Sequence, residues 1–123
     1  MSPRPIQLLI EDIWESIDKI ERYISGFDRN AFLNDEKTVD SVVRNLEIIG
    51  EAANRLPEDF KSRHPEIAWH RITGLRNRIV HNYFGIDLDI VWEILQRELP
   101  ELKEKISGLR TVPKPKESGE AVP

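Results

Sequence analysis

The chain has 123 residues, enough for one domain with one modest core, and its 39% hydrophobic and 33% charged residues are typical of a soluble protein. It contains no cysteine, which excludes disulfides, thiolate metal sites and cysteine nucleophiles and suits a reducing cytoplasm. The apolar run near the N-terminus soon meets Glu11 and Asp12. This run is therefore too short for a signal peptide or a membrane-spanning helix, and we expect a cytoplasmic protein.

The first half of the chain predicts two long helices. Isoleucines recur at steps of four and three residues over 6–24, which is the apolar stripe of one α-helix. A short turn or a single helical turn is expected over 28–33, followed by Asp35 as the N-cap of the second long helix. That helix carries its own apolar stripe and ends at Pro57. Its small residue Gly50 would allow another helix to approach closely.

The second half predicts two further helical segments. A short helical excursion over 58–64 precedes a third helix, which is expected to run from Ile67 to the neighbourhood of Phe84 and Gly85. Asp87 is then a predicted N-cap for the fourth segment. Pro100 interrupts the apolar stripe of that segment, so a kink or a break with a restart is expected there.

These segments together predict an all-α protein. Four amphipathic segments with short connections are typical of an antiparallel four-helix-type bundle, which we expect over residues 1–110. Residues 111–123 contain three prolines and no aromatic side chain, and are predicted to be a disordered tail. The sequence contains neither a glycine-rich phosphate loop nor a metal-ligand pair such as HExxH, so no metal site is predicted.

The net charge of −4 is unevenly distributed. Residues 61–86 carry five basic side chains against the single acid Glu66, which makes this window +4 and leaves −8 for the remainder. The five basic residues of the window are Lys61, Arg63, Arg71, Arg76 and Arg78. An acidic body argues against binding to long duplex nucleic acid, whereas a local basic site favours a small and specific phosphate contact.

The stretch RNRIVHNYF over 76–84 concentrates the chemically useful residues of this window. On an ideal helix, with about 100° per residue, Asn77 and His81 are neighbours but Arg76 and His81 are about 140° apart. Arg76 could therefore act with His81 only if the helix frays or bends, or if two copies of the helix face each other. Alternatively, these cations simply suit the C-terminal end of a helix. His64 and His70 are interpreted as surface or capping residues.

Arg76 and His81 could cleave RNA without a metal or another cofactor. An imidazole both accepts and donates protons near neutral pH, and a guanidinium binds phosphate oxygens through two parallel hydrogen bonds. RNA brings its own nucleophile, the 2′-OH. A histidine that removes its proton and an arginine that stabilises the crowded phosphorane would suffice for strand cleavage.

The run from Arg76 to Tyr83 resembles the RxxxxHxY motif of HepT-like proteins in the HEPN superfamily. The flanking sequences resemble the same family, and read IIGEAANRLP over 48–57 and HPEIAWHRITGLRNRIVHNYFGIDLDIVWEIL over 64–95. This resemblance extends over residues 5–107. It implies a HEPN bundle that forms a homodimer, in which the two motifs line a shared cleft.

The resemblance also implies a function. HepT-like proteins are metal-independent endoribonucleases and act as toxins of type VII-like toxin–antitoxin pairs, with transfer RNA as the expected target. Their antitoxin partner is an MntA-like minimal nucleotidyltransferase, which adds AMP to the tyrosine of the motif. That tyrosine is Tyr83 in this chain. A negatively charged adduct there would occupy Arg76 and block RNA entry.

Carried over residue by residue, the resemblance makes Arg76 and His81 catalytic, with Asn77 orienting His81. Arg78 either binds phosphate or lies on the surface, and Glu51 either lines the same cleft or lies on a helix surface. Two other functions stay open from the sequence. The chain could be a non-catalytic HEPN partner of a nucleotidyltransferase, or a structural helical dimer in which the motif caps the interface.

Overall fold

The computed structural model describes residues 3–80 and 85–111. In these ranges the chain is helical apart from short connections and one isolated antiparallel bridge, so the all-α prediction is confirmed. The helices are α1 (Ile6–Ile24), α2 (Arg29–Leu33), α3 (Glu36–Arg55), α4 (Glu58–Ser62), α5 (Trp69–Thr73), α6 (Leu75–Ile79), α7 (Leu88–Glu93) and α8 (Leu99–Ser107), with a π-helical turn, Ile94–Glu98, between α7 and α8. None of these described helices is long and apolar enough to cross a membrane.

Helices α1 and α3 form the framework of the bundle. The isoleucine stripe of α1 is buried against α3, and its four central members have no exposed surface. Leu9, near the start of α1, and Ala52, near the end of α3, line the same groove, so the two helices run antiparallel. Asp35 accepts a hydrogen bond from the backbone N–H of Thr38 at 3.0 Å and caps α3 as predicted.

The short helices that follow rest on the end of α3. A Cβ atom built at Gly50 would lie 3.2 Å from the backbone oxygen of Ile72, so α5 approaches the backbone of α3 directly, as the small residue predicts. Leu75 and Ile79 of α6 are also buried in the core. These contacts determine where the residues of the 76–84 stretch can lie.

The third predicted helix is shorter than expected. Gly74 separates α5 from α6, and α6 ends at Ile79 because Val80 adopts an extended backbone with φ −87° and ψ 125°. Val80 instead pairs with Ile86 in the antiparallel bridge, and the N–H of Asp87 donates to the oxygen of Ile79 at 2.7 Å. The prediction of a helix continuing to Phe84 or Gly85 is therefore wrong, because these bonds end α6 at Ile79.

Two sequence segments with predicted roles lie outside the described residues. They are residues 81–84, which include His81 and Tyr83, and residues 112–123 of the predicted tail. The disorder of the tail and the domain boundary at residue 110 therefore stay predictions.

The fourth segment confirms the expected effect of Pro100. Asp87 caps α7 by accepting from the N–H of Ile90 at 3.1 Å. The helix then widens into the π-helical turn, in which the N–H of Leu99 reaches the oxygen of Ile94, and α8 starts at once. Proline lacks an N–H and its ring crowds the carbonyl four residues earlier, so the wider turn before Pro100 relieves both problems.

The end of the described chain is attached to α1 by Arg110. Its guanidinium makes two hydrogen bonds to the Glu11 carboxylate, at 2.7 and 3.0 Å, and lies 3.9 Å from the centre of the Trp14 ring. The indole N–H of Trp14 donates to Ser107 Oγ at 3.1 Å. Only 15% of the Arg110 side chain and 13% of the Glu11 side chain are exposed.

We expect Arg110→Ala to lower the free energy of unfolding by about 2–4 kcal/mol, because it leaves a largely buried carboxylate without its partner. The matched control is Arg97→Ala, which removes an ion pair of 2.8 Å to Glu93 whose side chains are 78% and 59% exposed. That control should cost no more than about 0.5 kcal/mol. Urea denaturation followed by circular dichroism measures both values, and equal losses would contradict the anchoring role of Arg110.

Candidate active site

Arg76, Asn77 and Arg78 of the motif all lie on α6, but their side chains point in two different directions. Side chains two positions apart on a helix point about 200° apart. Arg76 and Asn77 are exposed, whereas Arg78 points back toward the π-helical turn and only 26% of its side chain is exposed. Arg76 and Arg78 therefore occupy different surroundings although one residue separates them.

Arg78 forms a two-pronged ion pair with Glu98. Its Nη1 donates to Glu98 Oε1 at 2.9 Å and its Nη2 donates to Glu98 Oε2. Arg71 of α5 donates to the same Oε2 at 3.1 Å. One carboxylate thus joins α5, α6 and the π-helical turn. The Arg78 guanidinium is thus engaged by Glu98, and its two expected roles, phosphate binding or a surface position, stay predictions.

The hydrogen bond from Arg78 is the main cause that holds the pKa of Glu98 below its ordinary value, and Arg71 adds to the effect. Partial burial opposes it. Glu98 is a functional candidate that the sequence did not reveal. It lies twenty residues beyond Arg78 on a different element, so no helical spacing in the sequence indicates the pair.

Most cations of the basic window are paired with carboxylates within the chain. Four of its five cations have carboxylate partners: Lys61 with Glu58 at 3.1 Å, Arg63 with Asp59 at 3.4 Å, and Arg71 and Arg78 with Glu98. Lys61 is buried, and its Nζ donates to the oxygen of Ala53 near the end of α3. Within residues 3–80 and 85–111, the Arg76 side chain has no hydrogen-bond or carboxylate partner. Arg76 is therefore the cation of this window best placed to bind an added anion.

The residues on the two sides of the 81–84 segment lie next to each other. Val80 and Ile86 form the antiparallel bridge, and the N–H of Val80 donates to the oxygen of Arg76 at 3.0 Å. Gly85 has φ +87°, a backbone conformation that residues with a Cβ rarely adopt. The chain thus enters and leaves residues 81–84 beside the end of α6.

The early end of α6 changes two geometric arguments. The angle of about 140° between Arg76 and His81, and the placing of Asn77 and His81 as neighbours, both assumed a continuous helix. Since α6 ends at Ile79, helix geometry no longer requires a second copy to bring Arg76 and His81 together. The expected homodimer then depends on the family resemblance.

Other candidate residues lie apart from α6. Glu51 lines a groove of about 280 Å³ between α1 and α3 together with Arg44 and Arg55, and no residue of α6 lines this groove. The backbone oxygen of His64 accepts from the Trp69 indole at 3.0 Å, and its imidazole ring packs on Phe60, away from α6. Like Arg76, His70 is exposed.

The described residues contain no group of three or more His, Asp or Glu side chains that could hold a metal ion.

We expect Glu98→Gln to destabilise the protein near neutral pH by weakening the contacts to Arg71 and Arg78. A carboxylate whose folded-state pKa is lowered stabilises the protein above its unfolded-state pKa, and that stability is lost as the pH falls through the folded-state value. The difference in unfolding free energy between the wild type and Glu98→Gln should therefore stay constant from about pH 7 to about pH 5.5 and shrink below about pH 4.5.

Urea titrations at several pH values measure this difference. The control is Glu93→Gln, whose carboxylate belongs to an exposed ion pair. A gap between wild type and Glu98→Gln that widens with acid would show that Glu98 is not stabilised as a carboxylate.

The comparisons with known proteins agree on one family. The family model described as "Ribonuclease HepT-like" matches residues 13–109. The "Probable ribonuclease HepT" of Thermococcus cleftensis is 43% identical over 82% of this chain and 92% of its own length. The "Putative RNase MJ1380" of Methanocaldococcus jannaschii is 36% identical over 86% of this chain and 97% of its own length.

A third relative, the "Putative RNase TTE0752" of Caldanaerobacter subterraneus, is 34% identical over 88% of this chain and 94% of its own length. No solved structure matches the chain. The family match covers most of the helical bundle and includes α6, the bridge and Glu98. The chain belongs to the HepT-like ribonuclease family.

Proposed function

We propose that this chain is an endoribonuclease that needs no metal ion, with Arg76 and His81 as its catalytic residues. The observation that carries the proposal is the exposed Arg76 guanidinium, which has no partner among the described residues and lies on the helix that leads into the 81–84 segment. Membership of a ribonuclease family supports the same reaction class.

The proposed reaction uses the substrate's own 2′-OH. His81 accepts the proton of this hydroxyl, and the oxygen attacks the adjacent phosphorus. Arg76 binds the non-bridging oxygens, whose negative charge grows in the phosphorane. The bond to the 5′-oxygen then breaks, and the imidazolium returns a proton to that oxygen. The products are a 2′,3′-cyclic phosphate and a 5′-hydroxyl, and Asn77 orients His81.

We expect Arg76→Ala and His81→Ala each to lower the rate of RNA cleavage at least about a hundredfold, because each removes a group that acts on the transition state. Arg76 is exposed, so its loss should leave the circular dichroism and the unfolding midpoint close to those of the wild type. The control is Arg97→Ala, which removes another exposed arginine from outside the motif. Cleavage should persist in EDTA.

The measurement is gel analysis of a defined RNA together with mass spectrometry of the product ends. Cleavage at the wild-type rate by pure Arg76→Ala would exclude its catalytic role, and loss of cleavage in EDTA would exclude the metal-independent mechanism. If the folded wild-type chain cleaves no RNA, the non-catalytic binding module becomes the better reading.

We further propose that the chain is the toxin of a type VII-like toxin–antitoxin pair in the cytoplasm. Its partner would be an MntA-like minimal nucleotidyltransferase that transfers AMP to Tyr83. The Val80–Ile86 bridge keeps the chain on both sides of the 81–84 segment beside the end of α6, whose exposed cation is Arg76. A phosphodiester on Tyr83 would compete with RNA phosphate for Arg76, since Arg78 is already paired with Glu98.

The homodimer and the preference for transfer RNA also stand as proposals. Both follow from the family resemblance, in which two motifs line a shared cleft. Light scattering of the purified chain measures its oligomeric state, and cleavage of total RNA followed by sequencing of the ends identifies the target.

We expect AMP transfer to reduce RNA cleavage by the wild type and to leave Tyr83→Phe active. The reason is that the phenol oxygen is the only atom that Tyr83→Phe removes, and this oxygen is the proposed acceptor. The chain would be incubated with the nucleotidyltransferase, ATP and Mg²⁺, and then analysed by intact-mass and peptide mass spectrometry.

Tyr23→Phe is the matched control, because Tyr23 is the other tyrosine of the chain and is 40% exposed on α1. Modification of Tyr23 alone would contradict the proposal. So would equal silencing of the wild type and Tyr83→Phe.

A further inference from the structure

Glu98 joins the parts of the structure on which the position of Arg76 depends. It is the last residue of the π-helical turn and directly precedes Leu99, which is buried in the core. The core therefore holds the backbone at Glu98 in position. Its two carboxylate oxygens accept from the two terminal nitrogens of Arg78. A two-pronged pair of this kind constrains orientation as well as distance.

Helix α6 needs such a constraint. It has five residues, and Gly74 at its N-terminus provides no side-chain cap. A helix this short is not stable by itself in water, so tertiary contacts must determine how it is rotated. Leu75 and Ile79 supply the apolar contacts and Arg78 supplies the polar one.

The rotation of α6 decides where Arg76 points. Arg76 and Arg78 are about 200° apart on the helix, so an Arg78 held at Glu98 places Arg76 on the opposite, exposed side. The same rotation also fixes the oxygen of Arg76, which receives the N–H of Val80 at 3.0 Å where the chain leaves the helix.

We propose that Glu98 is a positioning residue for RNA cleavage, which acts through Arg78 to fix the rotation of α6 and thereby the direction of Arg76. This inference rests on the proposed ribonuclease function. Glu98 does not touch the substrate in this role. Its effect should therefore appear in the rate of the chemical step rather than in RNA binding.

The test compares kcat and KM for a defined RNA among Glu98→Gln, Arg78→Met and the double variant. Each single change should lower kcat at least about tenfold and leave KM within about twofold, because the loss is one of alignment. The double variant should be no worse than the more impaired single variant, since both changes break the same pair. Glu98→Gln should also speed amide hydrogen exchange at Val80 and Asp87, whose N–H groups bond at the end of α6.

Two controls separate positioning from general stability. Arg71→Met removes the second arginine that contacts Glu98 but leaves the Arg78–Glu98 pair, so its kcat should stay within about twofold of the wild type. Glu93→Gln changes an exposed carboxylate five residues away and should alter neither kcat nor amide exchange.

The outcomes distinguish this inference from the function on which it rests. An active wild type with folded Glu98→Gln and Arg78→Met variants of normal kcat would overturn the positioning role alone. Additive losses in the double variant would do the same. A folded wild type that cleaves no RNA would overturn the proposed function, and the positioning role would fall with it.

Discussion

The candidate site depends on helices that cannot stand alone. Helices α5 and α6 contain five residues each, and isolated helices of that length do not persist in water. They exist because the core fixes them: the backbone of α5 meets α3 where Gly50 leaves room for it, and Leu75 and Ile79 of α6 are buried. The exposed direction of Arg76 is therefore a product of tertiary packing, and any side chain larger than glycine at position 50 would press on the oxygen of Ile72.

Electrostatics then selects one cation from several. A count of charges suggests a broad basic patch over 61–86, but in the folded chain Lys61 and Arg63 each pair with a carboxylate of their own. Arg71 and Arg78 share the carboxylate of Glu98. Lys61 is even turned inward, where its ammonium bonds to the oxygen of Ala53. In the described part of the chain, Arg76 is thus the exposed cation of this window without a carboxylate partner, while Arg71 and Arg78 share the one carboxylate of Glu98. A single such cation on an acidic body favours local contacts with one phosphate over long-range attraction to many.

Sequence reasoning succeeded where the signal is local and failed where it depends on contacts distant in sequence. The isoleucine stripe of α1, the cap at Asp35 and the restart near Pro100 each follow from neighbouring residues, and the structure confirms them. The end of α6 did not follow, because Val80 leaves the helix to pair with Ile86. Asp87 also bonds across that gap. Glu98 was missed for the same reason, since its pairing with Arg78 is created by the fold and leaves no helical spacing in the sequence.

Arg76 and Arg78 lie on the same helix, but Arg78 contributes to stability whereas Arg76 is available to bind an anion. Both are arginines on α6, and about 200° of helix rotation places one against Glu98 and the other in solvent. Arg78, which is paired with Glu98, stabilises the short helix, so Arg76 need not contribute to its stability. This division leaves the exposed guanidinium available to an anion at little cost in folding energy, because an exposed charge carries almost no desolvation penalty. Under the proposed function, one negatively charged adduct near Arg76 would then suffice for silencing, since no second exposed cation of α6 remains to hold the RNA phosphate.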